Sequence, residues 1–119
     1  MKNKNQIALM LVLLFTTVLL FTACSSSLDS SIKAATKDAQ DPATAKAFES
    51  WFYKVVDDVK ADPTYKRIPL DTKPDQDWYL ALMFTAWDKK ITKEEFVQNG
   101  LKRFPDYKES FEFVANKLP

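Results

Sequence analysis

Apolar residues follow two different patterns along this chain. From Ile7 to Phe21 they are consecutive: IALMLVLLFTTVLLF runs for 15 residues without a charge, behind Lys2 and Lys4 of MKNKNQ. Beyond Pro42 they recur every three or four positions. Phe48, Trp51, Phe52, Val55, Val56 and Val59 lie on one face of a 3.6-residue repeat, which predicts an amphipathic helix. Asp41 is its N-cap, Pro42 takes its first position, and Asp62-Pro63 closes it. At helical spacing such an aromatic stripe is core before it is a ligand-stacking face.

PTYKRIPLDTKP follows as a connector with three prolines. A second helix starts at Lys73 or Pro74, capped by Thr72 or Asp71. Asp75 and Asp77 in its first turn complement the helix dipole, which explains this acidic cluster without a metal. Trp78, Tyr79, Leu80, Leu82, Met83, Phe84, Ala86 and Trp87 make this helix apolar around most of its circumference. It is either central in the fold or half covered, with one face left for a partner.

The next stretch, AWDKKITKEEF, ends like an EF-hand calcium loop. With Glu95 at loop position 12, Phe84, Ala86 and Asp88 fall at positions 1, 3 and 5, and Lys89 at position 6. Calcium needs oxygen ligands at the first three and glycine at the fourth, so calcium binding is rejected. Thr92 and Glu95 instead have capping-box spacing, and Ile91 and Phe96 form a hydrophobic staple. DKKIT then turns the chain between two antiparallel helices. The third helix runs from Lys93 to Asn99 or Arg103, with Phe96, Val97, Leu101 and Phe104 inward and Gly100 as a C′ candidate. The last, PDYKESFEFVANKL, begins with Pro105 at its first position and places Tyr107, Phe111, Val114 and Leu118 on one face. Phe113 lies off that stripe.

Glycine is nearly absent, with Gly100 alone, which speaks against hairpin-rich β folds. All the Trp and Tyr, and every Phe except Phe15 and Phe21, lie beyond Pro42, where large rings offset the small size of the domain. Residues 42–119 are thus expected to form an all-α, single-domain bundle of about four helices. Ser25–Asp41, SSSLDSSIKAATKDAQD, carries five serines and only two large apolar side chains, Leu28 and Ile32. It reads as a flexible tether, fraying into helix at most over IKAATKDA and reaching roughly 20–25 Å on average.

Chemistry is limited by what is missing. The chain has no histidine, one cysteine, and 17 basic against 16 acidic residues. A Ser-His-Asp triad, an intrachain disulfide and a thiolate cluster are ruled out by composition, and the balanced charge suggests no nucleic-acid footprint. Asp57 and Asp58 are adjacent on a helix and do not converge as a carboxylate pair. No catalytic residue, metal site or cofactor site is expected.

The N-terminus is the most specific signal. A basic start, an apolar run of this length and a small-residue site before Cys24 make a secretory signal; a retained spanning helix would need roughly 20 apolar residues. LFTAC, Leu20–Cys24, resembles the lipobox of bacterial lipoproteins, with Ala23 and Thr22 before the cysteine and Phe21 where leucine is usual. The resemblance covers residues 1–24. It implies a signal peptide over 1–23, acylation of Cys24 and anchorage in the cell envelope. Ser25 in second place implies sorting to the outer membrane, facing the periplasm, in a Gram-negative cell. Two acyl chains or more hold a protein in a bilayer essentially permanently, at about 0.8 kcal/mol per buried methylene.

Two functional classes follow. One is a non-catalytic protein-binding module of the envelope, of immunity or exclusion type. The other is an accessory lipoprotein of a larger envelope assembly. Both need an envelope protein partner, and Tyr79 and Phe113 are the candidate exposed anchors, since aromatic residues dominate binding hot spots.

Overall fold

A computed structural model describes residues 26–119. Among the described residues there are five helices and no strand: α1 (Ser26–Ala39), α2 (Pro42–Ala61), α3 (Lys73–Trp87), α4 (Lys93–Arg103) and α5 (Lys108–Ala115). The all-α class is as expected, and four of these are the helices the apolar pattern predicts. Residues 1–23, expected to form a signal peptide, and Cys24 lie outside the described residues.

Helix α1 occupies the segment expected to be a tether. Ile32, Ala35 and Ala39 are buried in the core and Leu28 packs against it, so positions 28, 32, 35 and 39 form one continuous stripe. Two of these four residues are alanines, which bury little area each but let neighbouring backbones approach closely. A count of large apolar side chains overlooks them. Buried Thr36 satisfies its hydroxyl by donating to the Ile32 carbonyl at 2.7 Å. At its C-terminal end α1 is tied to the turn after α3: Lys90 Nζ lies 3.0 Å from Asp38 Oδ2 and 3.4 Å from Asp88 Oδ2.

Helix α2 begins as read: Asp41 Oδ2 accepts from the Thr44 amide at 2.9 Å and from its hydroxyl at 2.8 Å, with Pro42 in the first turn. Its Phe48 is fully buried, edge-on to Phe84 of α3 at 4.9 Å. Helix α3 is the central element. Tyr79 and every residue from Ala81 to Ala86 are buried, and Trp78, Leu80 and Trp87 are partly covered. It leaves no broad face for a partner. Buried Thr85 is satisfied by the Ala81 carbonyl, at 2.7 Å.

The turn after α3 is a Schellman motif. The Lys90 amide donates to the Thr85 carbonyl and the Lys89 amide to that of Ala86, both at 3.0 Å, while Lys89 sits at φ 62°. Helix α4 then opens with the predicted capping box: the Glu95 amide donates to Thr92 Oγ1 at 3.0 Å and the Thr92 amide to Glu95 Oε1 at 2.8 Å. Ile91 and Phe96 are both in the core.

Two boundaries differ from the sequence reading. Gly100 is not a helix stop: it lies inside α4, buried, with the Phe111 ring of α5 seated on its Cα. A Cβ there would come within 2.6 Å of Phe111 Cδ1 and Cε1, so glycine is present for close approach. Helix α5 starts at Lys108 rather than Pro105, because the Tyr107 amide closes a turn on the Phe104 carbonyl at 3.3 Å. Fully buried Phe96 and Phe111 meet edge-on at 6.2 Å, and Tyr79 of α3 touches both.

Candidate functional site

The connector between α2 and α3 crosses the start of α5 and is held there by polar contacts. The Ser110 hydroxyl donates to the Lys66 carbonyl. Lys66 Nζ donates to the Asp106 carbonyl at 3.3 Å and stands 4.5 Å above the Tyr107 ring. Where the connector leaves α2, Asp62 Oδ1 accepts from the Thr64 amide and hydroxyl, at 2.8 and 2.7 Å. These two bonds hold the Asp62 carboxyl below the usual carboxylate range.

Between connector and helix lies an open groove of about 530 Å³. Its apolar wall is Tyr65 and Phe113, edge-to-face at 5.3 Å, and its rim carries Asp62, Glu109, Glu112 and Lys66. Phe113 is half-buried rather than free: Tyr65 covers one side, and Lys117 Nζ lies 5.1 Å from its ring centre. Lys117 is placed by an ion pair with Asp58 at 3.4 Å, and its carbonyl accepts from Trp51 Nε1 at 2.8 Å. The groove is therefore built on the connector and α5, with an aromatic wall inside a mixed, mainly acidic rim.

The other candidate anchor is placed differently. Tyr79 is only 6 % exposed, enclosed by Trp78, Phe96 and Phe111, and is a core residue. The reason is α3's central position: on the side of Tyr79 it faces Phe96 of α4 and Phe111 of α5. Its hydroxyl is buried and has no hydrogen-bond partner among the described residues. Burial, and then the neighbouring Tyr65, push that hydroxyl well above the ordinary tyrosine range. Burial also raises Tyr65 itself. Tyr79 and Phe113 thus do not share one surface.

Two aromatic residues escaped the sequence reading. Tyr65 sits in a proline-rich connector, where no periodicity signals which side chains face outward. Tyr53, 41 % exposed, is the one exposed large hydrophobic residue among those described. It falls between the positions of the α2 stripe, and that offset was the available signal. A second hollow, of about 340 Å³, lies over the α3–α4 turn and is lined by Lys89, Lys90 and Lys93. Its helix N-terminus is already occupied by the capping box, and Lys90 by its two aspartates.

No group of three or more His, Cys, Asp or Glu side chains among the described residues is arranged to hold a metal ion. No described helix is long and apolar enough to cross a membrane. Comparison with protein-family models, with curated proteins and with solved structures finds no match to this chain.

Proposed function

We propose that this protein is a small envelope lipoprotein, anchored by acyl chains on Cys24, whose helical domain is a non-catalytic protein-binding module. It contacts an envelope protein through the Tyr65–Phe113 groove, in the manner of an immunity or exclusion lipoprotein. In a Gram-negative host, Ser25 directs it to the outer membrane, facing the periplasm. The observation that carries the reading is the aromatic pair in an open groove. Phe48, Tyr79, Phe84, Phe96 and Phe111 are consumed by the core, whereas half-buried Tyr65 and Phe113 line the groove together, beside charges that give a contact its register.

The test is quantitative recovery of envelope proteins by the tagged, membrane-anchored protein, compared across Phe113→Ala, Tyr65→Ala and Tyr53→Ala. The groove variants should lose the partner and keep most of their melting temperature, while Tyr53→Ala keeps the partner. Equal recovery by all variants would exclude the groove. A partner recovered only as part of a large, multi-subunit assembly would favour the accessory class instead.

A further inference from the structure

Helix α1 changes what an anchor at Cys24 would do. Between Cys24 and the first residue of α1 stands one residue, Ser25. Two peptide steps span at most about 7 Å. Helix α1 begins at Ser26, and from Leu28 onward it packs on the folded domain: Leu28 lies against the core, Ile32, Ala35 and Ala39 are in it, and Asp38 is paired with Lys90. A flexible coil over the same segment would have allowed the domain to stand roughly 20–25 Å from the bilayer. With α1 docked, that length is used up inside the fold.

On the lipoprotein reading proposed above, we infer that the domain lies directly against the bilayer surface, with the N-terminal end of α1 as its membrane-facing end. The opposite end is fixed by the same helix. Asp38 lies twelve residue steps beyond Ser26, a rise of about 18 Å. The α3–α4 turn, pinned to Asp38 through Lys90, therefore stands about a helix length from the anchored end. The surface that meets lipid headgroups is then the polar first turns of α1, with Ser30 exposed there. Contact is enforced by the covalent anchor and needs no apolar patch of its own. Reach is restricted as well: a partner must come to within a domain's height of the membrane.

The experiment uses the mature, acylated protein reconstituted in phosphatidylcholine vesicles that contain a nitroxide-headgroup lipid. A fluorophore is attached to a cysteine introduced by Ser30→Cys near the anchored end, or by Lys93→Cys beyond the α3–α4 turn. Quenching should be several-fold stronger at position 30 than at 93. A roughly 15-residue Gly/Ser insertion between Ser25 and Ser26 should bring position 30 down to the level of 93. Equal quenching at both positions in the vesicle-bound, acylated protein would overturn the inference and leave the lipoprotein reading standing. A protein that carries no acyl chain and fails to float with the vesicles would overturn both. Circular dichroism of each labelled protein confirms that the helices are retained.

Discussion

Replacing Gly100 by alanine should destabilise the domain, against the usual sign of that substitution. In an ordinary helix interior Gly→Ala gains roughly 0.8–1.0 kcal/mol from propensity. Here the new Cβ would lie 2.6 Å from Phe111 Cδ1 and Cε1 and 2.8 Å from Cγ. Carbon atoms pack at about 3.5–4.0 Å, so the overlap is roughly 1 Å against one side of a rigid ring. That ring has little room to retreat: Phe111 is fully buried, with Tyr79 at 5.7 Å and Phe96 at 6.2 Å between ring centres. Overpacking a close-packed core costs about 1–3 kcal/mol, and three overlapping ring atoms put this case near the upper end. Subtracting the propensity gain leaves a net loss of about 1–2 kcal/mol. For a domain of this size that lowers the melting temperature by roughly 5–15 °C. The assay is thermal unfolding by far-UV circular dichroism at neutral pH, with a urea titration beside it. Phe111→Leu in the Gly100→Ala background should cost less than Phe111→Leu alone, because the two changes relieve one contact. A Gly100→Ala protein that melts at or above the parent temperature would refute the packing described here.

Substitutions at two further residues probe buried groups. Tyr79→Phe removes a buried hydroxyl with no partner among the described residues and should leave stability unchanged or raise it by up to about 1 kcal/mol, whereas Tyr79→Ala should cost about 3–5 kcal/mol. A clear loss for Tyr79→Phe in the same melting assay would mean that the hydroxyl is bonded. Asp88 is pushed up to about 6, first by burial and then by hydrogen bonding to Asp38, from an ordinary 3.8. Between those two values the folded state holds more protons than the unfolded one, so this group's contribution to stability falls as pH rises from about 4 to about 6. After allowance for partial solvation the effect is about 1 kcal/mol. Asp38 is lowered by its bonds to Asp88 and Lys90, so its contribution has the opposite sign and its window lies below 3.8. Asp88→Asn should flatten the melting temperature between pH 4 and 6 and raise it at pH 7, by keeping a donor toward Asp38 and removing a negative charge from the C-terminal end of α3. An unchanged pH profile in that variant would contradict the assignment.

Much of the fold was legible because it rests on local rules. The Asp41 cap, the Thr92–Glu95 capping box and the α2 stripe each follow from residue type and spacing, and each stands where the pattern put it. The EF-hand count and the structure meet at Lys89: the tight turn at that position exists, but as the end of α3 in a Schellman motif. What was not legible depended on distant partners. Helix α1 is polar by composition and is ordered by contacts with α2 and α3 along a stripe that includes two alanines. Gly100 looked like a helix stop because nothing nearby in the chain announces Phe111 above it. Tyr79 and Phe113 were equivalent as aromatic positions on apolar helices, and only the central place of α3 separates a core ring from one at a groove edge.

Mass spectrometry of the protein isolated from the envelope of its host tests the central claim most directly. The account predicts a mature chain that begins at Cys24, heavier than its peptide mass by a thioether-linked diacylglycerol and, in most hosts, one further amide-linked acyl chain. Cys24→Ser should retain residues 1–23 and carry no lipid. A native chain that begins at Met1, or is cleaved elsewhere with a free thiol at Cys24, would contradict the account.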